Sequence, residues 1–374
     1  MRGIDDYAAR FFEEPGYLDF ARVGPIGETV AAEGQAMTEL LRVSRFGSHS
    51  VFLEQDNRVR EAVSAITGFT TQSIGFQPNT SLGAMHTMFG LSGTVALALS
   101  EFPSLTVAAV RAGEALHAVD VQWLDTDDGR ITPGTIKDQL TSSTTAVAVS
   151  LVDFRTGYLV DLEGIRQVIG DRLLIVDAIQ GFGVVDAPYL AADVVFSGGQ
   201  KWIRSGWGTG FLAMSDRALE RLTPVMSGFP GTEVEGMPLD EVPPPRSGIG
   251  AYTVSNPDPI AQARFASALE EMNEVGVTVI RDAIIERTGR IIDLADEFGI
   301  PVASSRNLNE RAGIVVVQPD ADQLTVLVAS LHNHGVSVTT RGGTVRISAH
   351  ASTTEESLEM LRASFLGFAS AITV

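Results

Sequence analysis

Between Ser73 and Met214 the chain alternates short apolar runs with longer amphipathic stretches. The runs at 73–77, 94–100, 119–123, 145–152, 173–176, 193–196 and 209–214 are four to eight residues long and rich in Val, Leu, Ile and Ala. Most lack a polar face, which is the mark of strands covered on both sides. Helices are predicted over 80–91, from Pro103, over 133–140 and over 162–169. Repeated strand–helix units predict an α/β fold with a largely parallel sheet that reaches seven strands by Met214.

The segments on either side follow other periods. A helix is predicted over 4–12, an extended piece over 17–20, a break at Gly24-Pro25, and helices over 28–42 and 54–67. Gly68 caps the last of these, where a left-handed residue costs least. After residue 256 come long helices at 260–275 and 279–298. Short strands at 313–317, 336–340 and 345–348 follow, interleaved with helices at 321–332 and 354–368. That pattern is a smaller α+β layer. The expected division is a large domain over 20–255 and a small one built from 1–19 and 256–374.

Charge and composition narrow the function. The 46 acidic residues outnumber 27 basic ones, for a net charge of −19. A surface of that sign repels phosphate backbones, so no nucleic-acid partner is expected. There is no cysteine, which removes disulfides, thiolate metal sites and cysteine nucleophiles together. Neither a long apolar run nor a signal-peptide core is found, so no membrane association and a cytoplasmic location are expected. The six histidines are scattered, and His332-x-His334 lacks an acidic companion, so no metal is expected. The glycines at 181–183 and 206–210 do not form a G-x-G-x-x-G turn, which argues against a nicotinamide site.

The candidate chemistry lies at 173–212. One apolar strand delivers Asp177 and Gln180, and the next delivers Lys201 after Ser197-Gly198-Gly199-Gln200. Open α/β sheets place ligands at such carboxyl strand ends. A lysine among small residues and a tryptophan is a candidate Schiff-base amine; its ordinary alternative is a solvated loop residue. Asn79-Thr80-Ser81 opens a helix and suits either a phosphate or a simple N-cap. Phe102 follows Glu101 at another strand end, as a ring wall or a core residue. Arg346 alternates with Val345 and Ile347, so it projects away from them, toward the domain interface or into a surface ion pair. Arg341 is a second cationic candidate, Arg155 reads equally as surface or pocket, and His350 reads as a satisfied loop histidine.

The pattern Val176-Asp177-x-x-Gln180, Ser197-Gly198-x-x-Lys201-Trp202 and Gly208-Thr209-Gly210-Phe211-Leu212 resembles the class V aminotransferase family of fold-type I pyridoxal-phosphate enzymes. That family includes cysteine desulfurases, kynureninases and isopenicillin-N-epimerase-like proteins. The resemblance implies pyridoxal 5′-phosphate as cofactor, held in the large domain. It makes Lys201 the Schiff-base lysine, Asp177 the partner of the ring nitrogen and Gln180 the partner of the phenolic oxygen. Attraction to a cationic ring keeps such an acid ionised even in a dry pocket. Thr80 and Ser81 then bind the phosphate, Phe102 stacks on the ring, and Arg346 grips the substrate α-carboxylate.

Departures from the family bear on the reaction. Many relatives carry histidine where this chain has Phe102, Leu151 and Gln200, and asparagine where it has Phe154. The loop 246–256, with Tyr252, Thr253 and Ser255, matches a segment that reaches the neighbouring subunit's phosphate in relatives, so a homodimer is expected. The expected function is amino-acid transamination through Lys201. A C–S or kynureninase-like lyase and an epimerase are the alternatives. A non-catalytic relic would have no need of the Asp177, Gln180 and Lys201 trio. Without cysteine, the persulfide mechanism of cysteine desulfurases is excluded.

Overall fold

A computed structural model describes residues 3–126, 129–234, 236 and 240–372. Its larger sheet contains β1 (Ile74–Phe76), β2 (Gly93–Ala98), β3 (Val119–Leu124), β4 (Thr144–Ser150), β5 (Leu173–Asp177), β6 (Val194–Gly198) and β7 (Gly210–Met214). Their spatial order is β1-β7-β6-β5-β4-β2-β3. The pairings from β3 through β2, β4 and β5 to β6 are parallel. Strand β7 runs antiparallel to β6, and β1 antiparallel to β7. The α/β architecture with seven mostly parallel strands is the one the sequence predicts.

The uniformly apolar runs are explained by two cores. Val147, Val149, Leu174, Val176 and Val195 enter one buried cluster, while Ala146, Ala148, Leu173, Ile175 and Val194 enter the other. Successive strand residues point to opposite faces, so both sets are buried. The helices α4 (Thr80–Gly90) and α5 (Pro103–Leu116) cover one face. The opposite face packs on α3 (Ser48–Thr67), α6 (Pro133–Gln139), α7 (Leu162–Ile169) and α9 (Pro259–Val275).

Strand direction decides where chemistry can gather. Because β1 runs with β6, and β7 against it, the end of β1 and the start of β7 share the edge formed by the carboxyl ends of β2, β4, β5 and β6. The turns at 77–80, 99–102, 151–155, 178–180 and 199–209 therefore meet along one edge.

A second sheet, in the order β8-β10-β9, contains β8 (Ile314–Val317), β9 (Thr339–Arg341) and β10 (Thr344–Ser348), all antiparallel. Gly342 and Gly343 have φ of +55° and +85° and join β9 to β10. Two consecutive positive φ values define the tight turn that matches hairpin twist, and glycine adopts them without strain. The extended piece at 17–20 forms parallel bridges from Tyr17 to Ser337 and from Asp19 to Ser348. Leu18 enters the small-sheet core and Phe20 the main core.

Several boundaries differ from expectation. Helix α3 begins at Ser48 rather than 54, and ends as predicted at a left-handed Gly68. Helix α1 (Ile4–Ala8) stops before Phe12, because Phe11 is drawn against Tyr7 and the Arg204 guanidinium. Val336 is buried ahead of β9 rather than within it.

Helix α4 approaches β6 at Gly83, where an added Cβ would lie 2.7 Å from Phe196 Cβ and 3.1 Å from its Cγ. Neither atom is the loose end of a side chain, so the helix itself must move. Gly83→Val is expected to cost about 1–3 kcal/mol of stability in urea denaturation, against roughly 0.4 kcal/mol gained in helix propensity.

Candidate active site

Asp177 is the last residue of β5 and lies in register with Ser150 on β4 and Phe196 on β6. It is 1% exposed. Its Oδ1 accepts the Ile179 backbone N–H at 3.0 Å, while Oδ2 is buried without a partner. Burial pushes the carboxyl up to about 6, opposed by the Ile179 N–H and by the Lys201 charge. Lys201, in the loop after β6, is also buried. Burial pushes its ammonium down to about 8; Asp177 opposes that shift, and Arg346 and Arg341 reinforce it. At neutral pH Asp177 is largely ionised, and roughly a tenth of Lys201 is the neutral amine.

Phe102 and Lys201 are brought together: the Lys201 Nζ lies 5.4 Å from the Phe102 ring centroid. That ring also meets Phe154 edge-to-face, with centroids 5.1 Å apart. Thr80 also faces this edge, and its Oγ1 is buried without a partner. A Cβ on Gly198 would lie 2.9 Å from Thr80 Oγ1 and 2.4 Å from Gln200 Oε1, so glycine there lets α4 start against the end of β6. Asn79 caps α4 by accepting the Leu82 N–H. Ser81 is turned away, sharing a 2.8 Å hydrogen bond with Ser104 at the exposed start of α5.

Gln180 is buried, and its amide is engaged within the protein. Its Nε2 donates to the Ala21 carbonyl at 2.9 Å, and its Oε1 accepts the Trp202 indole N–H at 2.8 Å. It thereby ties the turn after β5 to the lysine loop and to the N-terminal segment.

Arg346 reaches from the smaller sheet to the larger one. Its guanidinium donates to the Phe154 carbonyl at 3.1 Å and to Thr339 Oγ1 at 3.3 Å, and lies 3.6 Å from Asp19 Oδ1. Its Nε is buried without a partner. The Arg341 guanidinium lies 5.3 Å from the Phe154 ring centroid, and Arg155 leans on Asp153 at 3.4 Å.

His350 stands apart. It is buried, stacks on Phe20, and turns Nδ1 toward Arg204 and Ser352. Burial holds its pKa well below the ordinary range, with the Arg204 charge adding to the effect. Tyr252 is turned inward, where its hydroxyl donates to the Leu222 carbonyl; Thr253 is half-buried and Ser255 exposed.

Two residues enter here that sequence reasoning did not assign to the site. Glu101 is buried and accepts both the backbone N–H and the hydroxyl of Ser150. Burial pushes its carboxyl up to about 7, and the Asp153 and Asp177 charges add to that. Its signal was its place ahead of Phe102 at a strand end. Arg204 sits three residues beyond Lys201, has φ of +59° and is fully buried; a lone arginine in a loop carries no sequence signal for that.

The residues suit a phosphorylated pyridine aldehyde. Asp177 Oδ2, Thr80 Oγ1 and the Lys201 amine are, in turn, an acceptor for a ring N–H, a donor for a phosphate and a nucleophile for a carbonyl. The first two are buried polar atoms with no partner among the described residues, a costly state that a ligand relieves.

Comparison with known proteins agrees with this chemistry. The family model described as "Aminotransferase class-V" matches residues 54–372. A probable cysteine desulfurase of Methanothermobacter thermautotrophicus is 27% identical over 92% of each chain. A probable hercynylcysteine sulfoxide lyase of Mycobacterium tuberculosis is 27% identical over 80% of this chain and 76% of its own. The apo structure of a cysteine desulfurase from Thermococcus onnurineus shares the fold, with a TM-score of 0.85 at 20% identity over 97% of both chains. The chain belongs to the class V aminotransferase family and is a pyridoxal-phosphate enzyme.

Proposed function

We propose that this enzyme removes the α-proton of an amino acid with Lys201 and directs the substrate to C–S elimination. The observation that carries the first half is the pair Asp177 and Lys201, buried at adjacent strand ends with both pKa values drawn toward neutrality. A lysine drawn toward the working pH is what α-proton abstraction requires, and the buried Asp177 beside it is the anion that would face the ring nitrogen. Elimination is favoured over the transamination expected from sequence because relatives are named as a desulfurase and a sulfoxide lyase. This chain has no cysteine to receive sulfur, so sulfur leaves on the departing fragment.

When bound, pyridoxal phosphate supplies an aldehyde for the substrate amine and a ring that accepts the electron pair released at Cα. The protein does the rest. Asp177 holds a negative charge where a ring N–H needs one, and its burial keeps other donors away. Thr80, at the N-terminus of α4, offers a hydroxyl and the helix dipole to the phosphate. Phe102 walls the lysine from water. Arg346 holds the α-carboxylate, and that fixed orientation presents the Cα–H bond to Lys201. Overall, the Cα–H and Cβ–S bonds break, a Cα–Cβ double bond forms and the electron pair leaves with sulfur. Hydrolysis then yields a 2-oxo acid and ammonium. We read the active form as a homodimer, a reading supported by the exposed apolar side chains of Phe229 and Val254, whose segments are joined by the Gly228 N–H to Thr253 carbonyl hydrogen bond.

Lys201→Ala is expected to abolish both the absorbance near the visible edge in cofactor-loaded protein and the release of 2-oxo acid. Persistence of either sinks the assignment. Stoichiometric release of a 2-oxo acid and ammonium from an S-substituted cysteine, without added keto acid, identifies elimination; consumption of an added keto acid instead identifies transamination.

Loading should follow the neutral fraction of Lys201, so its rate is expected to rise with a midpoint near pH 8. Asp177 raises the Lys201 value, so Asp177→Asn should move that midpoint lower; a midpoint above 10 contradicts the buried-amine reading. The same variant has a stability signature. The Asp177 carboxyl is raised from 3.8 to about 6, so the folded chain keeps a proton that the unfolded chain has released. Stability falls as pH rises through that window and stays lowered above it. Cofactor-free Asp177→Asn is therefore expected to melt higher than the parent at neutral pH, the gap closing toward pH 4 in thermal scans.

A further inference from the structure

A cavity of about 230 Å³ lies between the two sheets, with Phe154, Arg155, Thr339, Arg341 and Arg346 in its wall. A chain of ring contacts links it to the lysine. Lys201 Nζ lies 5.4 Å from the Phe102 centroid, Phe102 meets Phe154 at 5.1 Å, and the Arg341 guanidinium lies 5.3 Å from the Phe154 centroid. Three guanidinium groups on one small cavity are unexpected in a protein of net charge −19.

Two of the three have partners. Arg155 leans on Asp153, and Arg346 has Asp19 together with the Phe154 carbonyl and Thr339. The Arg341 side chain has neither a carboxylate nor a hydrogen-bond acceptor among the described residues. It is nonetheless held in place. The Gly342-Gly343 turn pairs Arg341 with Thr344 at the hairpin end, and the Phe154 ring underlies the guanidinium. Its charge lowers the pKa of both Lys201 and Arg346. Asp177 opposes the charge of Lys201 and Asp19 that of Arg346, so of the three cations Arg341 is the one with no carboxylate beside it among the described residues.

We infer that the substrate carries a second carboxylate at the end of its side chain, gripped by Arg341 while Arg346 holds the α-carboxylate. The inference rests on the role proposed above for Arg346. Arg346 is buried and immobilised, so it suits the constant part of the substrate. Arg341 is exposed, beyond the Phe154 ring, so it suits the variable end. A guanidinium binds carboxylate through two parallel N–H groups. Combined with elimination, the substrate class is an S-linked cysteine derivative whose departing fragment bears a carboxylate.

Titration calorimetry of the cofactor-free chain with glutarate and butyrate tests this without any reaction. Glutarate is expected to bind roughly tenfold tighter, the worth of one charge-assisted pair. Arg341→Gln should erase that preference, Arg341→Lys should keep part of it, and Arg346→Gln should weaken both acids. In loaded enzyme, S-carboxymethylcysteine should exceed S-propylcysteine by about tenfold in kcat/KM, and Arg341→Gln should lower that ratio toward one. Equal binding of glutarate and butyrate, or parental selectivity in Arg341→Gln, overturns the inference and leaves Lys201 untouched. Retained glutarate preference in a protein that never loads the cofactor supports the two-arginine site while sinking the Lys201 assignment.

Discussion

The Arg204 guanidinium is the contact on which the rest of the site leans. It is fully buried, three residues beyond Lys201. It donates to the Pro25 carbonyl, to both oxygens of Glu13 and to Ser352, and faces Nδ1 of His350. It also lies 3.7 Å from the Phe11 ring centroid. One side chain thus joins the lysine loop, the N-terminal segment and the turn that follows β10. Burying an ion pair costs several kcal/mol per charge and is offset only when every donor is satisfied. Here the donors are well occupied, which points to placement rather than net stability as the gain. Burial lowers the Arg204 pKa, and Glu13 opposes that shift.

That placement reaches Lys201 through the backbone. Gly24 donates its N–H to the Gln200 carbonyl at 2.9 Å. A Cβ on Gly24 would lie 2.0 Å from the Lys201 carbonyl and 2.7 Å from Arg204 Cγ. The N-terminal segment therefore lies directly on the lysine loop, closer than any other residue type permits. Gln180 adds a second tether, since its amide bridges Ala21 and Trp202. A lysine whose loop is held on two sides spends little conformational entropy in reaching a fixed reaction geometry.

How much of this was legible in sequence follows from what each feature depends on. The strands were legible because each is covered on both faces, so its composition alone marks it. The reversed direction of β7 was not, since a run such as Gly210–Met214 reads alike in either sense. Asp177, Phe102 and Lys201 were legible as neighbours because all three follow apolar strands, and parallel strands bring such ends together. Ser81 was assigned alongside Thr80, yet a helix turns by about 100° per residue, and only Thr80 faces the edge. Gln180 was expected to bond the cofactor's phenolic oxygen; its tether to Ala21 and Trp202 was not legible, because those partners come from elsewhere in the chain. Arg204 and Glu101 derive their roles wholly from tertiary burial, and no local pattern announces that.

The charge pattern operates on two length scales. Coulomb fields between exposed charges fade over roughly 8 Å at physiological ionic strength. The net charge of −19 therefore acts mainly on partners that span a large part of the surface, such as nucleic acids. A ligand small enough to enter a cavity of about 230 Å³ responds instead to the groups in its wall. There the cations are Arg155, Arg341 and Arg346; Arg155 has Asp153 beside it and Arg346 has Asp19, and Arg341 is the cation left without a carboxylate among the described residues. An acidic protein can in this way exclude polyanions and still present a cationic pocket. The sign of the pocket is set by one hairpin, whose Gly342-Gly343 turn fixes where Arg341 stands.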